Sequence, residues 1–196
     1  DWSPTPTMSR DAWTPALCLG SSRRLLLESE VGRVEFETTR RAARKAAMQA
    51  LYAIEVGSCS VEEALEHAKE EATWSPIAFS YVRELVTGVA DRLGEIDALI
   101  VPLLAKGWEW SRSSAVTRSV LRIAVYELYH RPGMPPGATI NEAVYMAKTF
   151  GQEEEGRFVN GLLANLLPRS PKASWDPADT EPVPEMPEVA PEPAPQ

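Results

Sequence analysis

The chain of 196 residues carries 20 basic and 28 acidic side chains, for a net charge of −8. Its two cysteines have no C-x-x-C pairing and no nearby histidines, which argues against a disulfide framework and against a zinc site. No apolar run approaches the roughly 20 residues that span a bilayer, and no phosphate-binding glycine loop or catalytic constellation is evident. We therefore expect a cytoplasmic protein that is not an enzyme and needs no metal or cofactor.

Composition divides the chain into three parts. Residues 1–37 show no sustained periodicity, and we expect a disordered extension or a misassigned translation start. Residues 168–196 hold nine of the 17 prolines and six acids, which predicts a disordered acidic tail. Residues 38–167 form the predicted folded unit. The two ends carry most of the negative charge, so the net charge does not exclude a nucleic-acid binder.

A first helix is predicted from Thr38 or Thr39, which can cap it, to about Val56, with Gly57 ending it. Four cations cluster near its start: Arg40, Arg41, Arg44 and Lys45. Cations at a helix N-terminus oppose the macrodipole, at about 0.3–1 kcal/mol each when exposed. Because the fold itself gains nothing from this placement, the cluster indicates either a solvated polar face or a surface for a polyanion.

Two further helices have clear start signals. Ser60 with Glu63 forms a capping box for a short helix, and Ser75 followed by Pro76 is an N-cap and first-turn pair for the next.

The stretch after these helices contains a tryptophan-rich loop. Gly94 is expected to break the helix that begins near Ser75, and Gly107 to end the segment that follows. Trp108 and Trp110 then lie beside cations. Aromatic residues next to cations can stack on splayed RNA bases. More often such tryptophans fill the gap between two helical subdomains, and the sequence favours this second interpretation.

Three helical segments are predicted in the last part of the folded unit. The first, over residues 116–129, is apolar around most of its circumference, which indicates a central helix. The second is predicted to begin at Thr139 in a capping box with Glu142, and to end at a left-handed Gly151. The third is stopped by Pro168. No strand pattern is present, so the predicted fold class is all-α.

Four segments, in this order, resemble the NusB family of bacterial transcription antitermination factors: RRAARKAAMQALY, KGWEWSR, LRIAVYEL with INEAVYMAKTFG, and RFVNGLL. The resemblance covers residues 38–167. It implies a compact bundle of about six to seven helices in two three-helix subdomains. It also implies binding of the single-stranded boxA element of ribosomal RNA leaders together with NusE, a small-subunit ribosomal protein. The pair would then join RNA polymerase and other Nus factors. The sequence does not decide whether the protein forms a homodimer that hides the RNA surface.

The resemblance also implies roles for individual residues. The residues expected to bind RNA are Arg40, Arg41, Arg44, Lys45, Glu154, Arg157 and Phe158. The residues expected near NusE are Tyr52, Thr117 and Arg118. Thr117 stands where relatives can carry an acid, so a charged contact to the basic partner would be missing here. Phe158 lies at core spacing with Leu162 and Leu166, so it could equally be buried.

Two other functions stay open. The chain could be a protein-interaction scaffold whose basic helix docks an acidic protein. It could also be the detached RNA-binding domain of a ribosomal RNA methyltransferase, because the RNA-binding domain of some of these enzymes has the same fold. Steep dependence of binding on salt would favour RNA, because phosphate contacts release counterions.

Overall fold

The computed structural model describes residues 39–106 and 109–181. Seven α-helices occur in these residues: α1 Arg40–Gly57, α2 Val61–Glu70, α3 Pro76–Asp91, α4 Leu93–Ile100, α5 Ala115–His130, α6 Pro136–Phe150 and α7 Glu153–Leu166. Short 3-10 helices lie at Val101–Leu103, Trp110–Arg112, Leu167–Arg169 and Pro177–Asp179. The described part contains no strand, which confirms the all-α prediction. The predictions for residues 1–37 and for Trp108 lie outside the described residues.

Helix α5 is the centre of the bundle. All its residues from Thr117 to Leu128 are buried except Arg118, as its apolar circumference predicts. Helices α1, α2 and α3 contact one another, and so do α5, α6 and α7. The two groups meet where α1 and α3 pack on α5, and α4 contacts both groups. The two three-helix subdomains are thus confirmed.

Most of the predicted helix starts are confirmed by capping hydrogen bonds. Thr39 caps α1, and Ser75 caps α3 through its side chain. Both halves of the capping box between Ser60 and Glu63 are formed at the start of α2. The end of α1 lies one residue later than predicted, because the left-handed residue is Ser58, with φ of 55°.

The predicted start of α6 is wrong, and its predicted end at Gly151 is confirmed in position but not in conformation. The helix begins at Pro136, whose fixed φ and missing N–H suit the first turn. Thr139 therefore lies inside the helix, is 1% exposed, and donates its hydroxyl hydrogen to Glu127 instead of capping. At the other end Gly151 has φ of −115°, so it is not a left-handed C-cap.

The predicted breaks around α4 are also misplaced. The chain breaks at Arg92 rather than Gly94, and α4 ends at Ile100 rather than Gly107. A proline two positions beyond that end lacks the N–H that a continued helix would need. In the following loop Trp110 is partly buried and packs against the core, which favours the packing interpretation for this tryptophan.

The predicted disordered tail is partly a packed segment. Residues 168–181 are described, and they include two short 3-10 helices. Lys172 is 4% exposed, and its ammonium group donates to the carbonyl of Met134 in the loop between α5 and α6. The prediction of a disordered tail is therefore wrong for residues 168–181.

We predict that Lys172 makes stability rise with pH above pH 8. Burial lowers the pKa of its ammonium group to about 8; Glu127 opposes this shift, and Arg131 and Arg44 add to it. In the unfolded chain this pKa returns to its ordinary value of 10.5. Between the two values the unfolded chain holds more protons. The free energy of unfolding should therefore rise by about 1 kcal/mol per pH unit near pH 9, and lose this gain as pH falls through 8.

The measurement is urea denaturation of the wild type and Lys172→Met at several pH values from 7.5 to 9.5. Other titrating groups cancel in the difference between the two proteins. The substitution should flatten the rise seen in the wild type. Two curves that run parallel over this range would contradict the predicted proton uptake by Lys172.

Candidate nucleic-acid interface

The four cations at the start of α1 divide into two pairs on different sides of the helix. Residues four apart share a helix face, so Arg40 lies above Arg44 and Arg41 lies above Lys45. Arg40 and Arg44 both point to the sulfur of Met134, at 3.7 and 3.2 Å. The side chains of Arg41 and Lys45 are exposed. The structure therefore turns one pair toward the protein interior and the other pair toward solvent.

The guanidinium of Arg44 is buried in an ion pair with Glu127 of α5. Its Nε and Nη2 atoms donate to the two carboxylate oxygens at 2.7 and 3.1 Å, and Glu127 is fully buried. The same carboxylate accepts hydrogen bonds from Tyr81 and, at 2.6 Å, from Thr139. Burial and the charge of Glu127 raise the pKa of Tyr81, which keeps its hydroxyl protonated as a donor. Two guanidinium N–H groups and two hydroxyl groups thus all donate hydrogen bonds to one buried carboxylate.

An RNA contact by Arg44 would require this ion pair to break. Losing one partner of a buried pair costs about 3–5 kcal/mol, because the other charge stays buried without compensation. The fold does gain from a cation at this position, contrary to the expectation from the helix dipole alone. An RNA role for the cluster would therefore fall to its exposed members.

Arg41 lies on the surface between α1 and α6. Its side chain is 60% exposed, donates two hydrogen bonds to Glu142 at 2.8 and 2.6 Å, and lies 4.7 Å from the centre of the Tyr145 ring. The hydrogen bonds and charge of Glu142 raise the pKa of Arg41. Exposed ion pairs are weak in water, so a phosphate can replace Glu142 as the partner of Arg41.

Lys45 continues the same surface one turn further along α1. Its ammonium nitrogen lies 5.8 Å from the centre of the Phe150 ring, at the end of α6. Each exposed cation of α1 thus has an aromatic ring of α6 beside it. We call the surface formed by Arg41, Lys45, Tyr145 and Phe150 the α1–α6 face. Alternating cations and aromatic rings are typical of surfaces that bind single-stranded nucleic acid.

Sequence reasoning missed both aromatic residues of this face. The sequence could have indicated an exposed ring at Tyr145, because this aromatic residue lies outside the apolar stripe of α6. In the structure this side chain is 46% exposed, among the more exposed large apolar residues of the described part. Phe150 carried no such signal, since an aromatic residue at a helix end is commonly part of a core.

The other residues predicted to bind RNA lie at the start of α7. Glu154 and Arg157 are exposed on its first turns. Phe158 is partly buried and packs against the core, as its helical spacing allowed. Helices α6 and α7 are in contact, and Lys148 of α6 pairs with Glu153 at 2.6 Å.

Arg40 is held by the C-terminal segment. Its side chain is 27% exposed, and its guanidinium lies 3.8 Å from the carboxylate of Glu181. That carboxylate also accepts from Arg131 at 2.6 Å. Arg40 is therefore partly neutralised within the chain, in contrast to Lys45.

The residues predicted to meet NusE lie around the far end of α1 and the start of α5. Tyr52 is half-buried. Thr117 is 2% exposed, and its hydroxyl oxygen accepts from Ser114 at 3.1 Å, so its side chain faces inward. Arg118 is partly exposed and donates to Glu55 of α1 at 2.6 Å.

A second ion cluster lies beside these residues, and sequence reasoning missed it. Arg122 donates twice to Asp97 of α4 and once to Glu55, each at 2.8 Å, so it joins three helices. Burial alone would raise the pKa of Asp97, but the hydrogen bonds and the charge of Arg122 hold it below its usual value. Two carboxylates of this cluster, Glu55 and Asp97, are partly exposed. They lie close to Thr117, which has no acidic group of its own.

Metal-binding clusters and membrane-spanning helices are both absent from residues 39–106 and 109–181. No group of three or more acidic, histidine or cysteine side chains there is arranged to hold a metal ion. None of the helices in these ranges has the length and apolar character needed to cross a membrane.

Comparison with known proteins identifies relatives of this chain. The profile of the NusB family matches residues 41–168. The transcription antitermination protein NusB of Exiguobacterium sp. is 42% identical over 128 residues, which cover 65% of this chain and 96% of that protein. The protein of the same name from Myxococcus xanthus is 44% identical over 128 residues, which cover 63% of this chain and 91% of that protein.

Solved structures of similar proteins share the fold. The NusB structure from T. maritima is 36% identical, with a TM-score of 0.62, and the match covers 67% of this chain and 92% of that one. A crystal structure of the antitermination factors NusB and NusE in complex with double-stranded RNA contains a chain that is 29% identical. Its TM-score is 0.60, and the match covers 65% of this chain and 94% of that one.

We predict that Arg44 and Arg41 differ sharply in their contribution to stability. Arg44→Met should lower the free energy of unfolding by about 3–5 kcal/mol, because Glu127 then stays buried and charged. The matched variant Arg41→Met removes only an exposed pair and should leave that free energy nearly unchanged. Urea denaturation at pH 7 measures both. Wild-type stability of Arg44→Met would show that the buried pair is dispensable and that Arg44 is available to a ligand.

Proposed function

The chain belongs to the NusB family, and from this premise we propose that it is a transcription antitermination factor that binds RNA on its α1–α6 face. The observation that carries the proposal is the pairing of exposed cations with aromatic rings on that face. The function needs no catalytic group, because the protein would act by holding RNA and proteins together.

Phosphate groups of the RNA would be held by Arg41 and Lys45. Binding replaces the exchangeable carboxylate of Glu142 next to Arg41 with a phosphate and releases counterions. Tyr145 offers an exposed ring on which a base can stack. Glu154, Arg157 and Phe158 would extend the surface along α7. Phosphate contacts supply affinity, whereas contacts to the bases supply selectivity.

We further propose the finer function that the family resemblance implies. The RNA would be the single-stranded boxA element of ribosomal RNA leaders, bound jointly with NusE. The pair would then join the RNA polymerase elongation complex with other Nus factors. NusE would contact the surface around Tyr52 and Arg118. Since Thr117 faces inward, the acids near this surface are Glu55 and Asp97. A basic partner would share them with Arg118 and Arg122, which already pair with them.

The relatives support this function over the two alternatives. Both relatives described above are antitermination proteins, and the match covers almost their whole length. Neither is a methyltransferase. A scaffold for an acidic protein would use the same cations but would have no use for base selectivity. A homodimer that covers the α1–α6 face remains compatible with the fold and would weaken RNA binding as protein concentration rises.

We predict that RNA binding is selective for boxA and is strengthened by NusE. Fluorescence anisotropy with labelled RNA would compare a boxA strand, a scrambled strand and a boxA duplex, each with and without NusE. The single boxA strand should bind more tightly than the other two, and NusE should increase that preference. Equal binding of boxA and scrambled strands, unaffected by NusE, would favour the scaffold. Preference for the duplex would keep the RNA function but reject the single-stranded target.

We also predict that the exposed cations set the salt dependence of binding. Lys45→Ala and Arg41→Ala should each reduce the slope of log K against log salt by about 0.7, the value for one phosphate contact on a single strand. Arg112→Ala, an exposed arginine on the loop before α5, is the matched control and should leave the slope unchanged. Equal slopes for all four proteins would remove the α1–α6 face as the phosphate site.

A further inference from the structure

Helix α1 borders a groove on the side that faces α2. The cavity has a volume of about 250 Å³ and is lined by the alanine side of α1 together with Lys45, Gln49, Glu71 and Trp74. Further along the same helix pair the groove narrows to a cavity of about 20 Å³. The space therefore fits one flat group of moderate size rather than an extended chain.

Trp74 forms a rigid wall of this groove. Its indole nitrogen donates to the carbonyl of Ala68 at 2.7 Å, and its ring is tilted against that of Phe79, with centroids 6.4 Å apart. The side chain is partly exposed and packs against the core on its other side. A ligand that stacks on this ring would not have to immobilise it, so little conformational entropy is lost on binding.

The polar groups of the groove suit the edge of a base. Gln49 offers one donor group and one acceptor, and Glu71 offers two acceptor oxygens. The N–H groups on the edges of unpaired bases can bond to these acceptors. The negative charge of Glu71 would repel a phosphate inside the groove, so the backbone of a bound strand must stay outside it.

Lys45 connects the groove to the α1–α6 face. It lines the cavity together with Trp74, and its ammonium nitrogen also lies near the ring of Phe150. A strand whose phosphates follow Arg41 and Lys45 therefore passes the mouth of the groove. An apolar side chain of a protein partner would fill the space equally well but would leave Lys45 and Gln49 without partners.

We propose that this groove is a base-binding subsite, in which one unpaired base of the bound RNA stacks on Trp74 while Lys45 holds an adjacent phosphate. The proposal rests on the RNA-binding function proposed above and adds a specificity site to it. Stacking of one base on an aromatic side chain is worth about 1–3 kcal/mol. Loss of the aromatic ring should therefore weaken binding by about 5- to 150-fold.

The test combines variants of Trp74 with RNA that lacks single bases. The probe is the boxA strand, together with a set in which one nucleoside at a time is replaced by an abasic residue. Trp74→Leu should weaken binding of the intact strand at least 5-fold with an unchanged salt slope. At one abasic position the wild type and Trp74→Leu should bind equally, because the stacked base is already missing. Trp74→Phe is the matched control: it also loses the bond to Ala68 but keeps an aromatic face.

The outcomes separate this inference from the function on which it rests. Absence of RNA binding by the wild type would overturn the proposed function itself. Two results would overturn the subsite but not the RNA-binding function. In the first, the wild type and Trp74→Leu bind the intact strand with equal affinity. In the second, Trp74→Leu binds more weakly than the wild type by the same factor at every abasic position. If Trp74→Leu does not fold, Gln49→Ala, which also changes the lining of the groove, replaces it. This variant should weaken binding several-fold without changing the salt slope, and wild-type binding by it would also overturn the subsite.

Discussion

The structure depends on one buried charge, the carboxylate of Glu127 in the last turn of α5. It accepts hydrogen bonds from Arg44 of α1, Tyr81 of α3 and Thr139 of α6. A carboxylate without water needs such donors, because an unpaired buried charge is strongly destabilising. The same interaction joins the first three helices to the last three. It also fixes the rotation of α1 about its own axis, since Arg44 must face inward.

The rotation of α1 determines which cations reach a partner. With Arg44 directed at Glu127, the helical repeat turns Arg41 and Lys45 outward toward α6. Cations at this helix end oppose the macrodipole, and the carboxylates of Glu127 and Glu142 offset that cost. The interior of the protein and its exposed cationic surface are thus two consequences of one arginine-rich turn.

Local signals in the sequence were sufficient for most of the fold. Side-chain caps and apolar periodicity depend on neighbours in the chain, so the starts of α1, α2 and α3 and the central position of α5 could be predicted. Contacts between distant residues could not. The hydroxyl of Thr139 has the spacing of a cap, but a carboxylate from α5 accepts its hydrogen bond. Arg44 has its partner 83 positions away, and the carbonyl bound by Lys172 lies in another loop. Helical spacing alone does not say which face of α1 lies inside, so the four cations could only be treated as one cluster.

The cations of α1 divide between the core and the proposed RNA surface, and the most direct test observes each side chain separately. Nuclear magnetic resonance can follow the side-chain nitrogen signals of Arg41, Arg44 and Lys45 during titration with a boxA strand. The signals of Arg41 and Lys45 should shift as RNA is added, while the Nε–H signal of Arg44 stays in place and protected from exchange with water. Movement of the Arg44 signal in step with that of Arg41, or no movement of Arg41 and Lys45, would contradict this division.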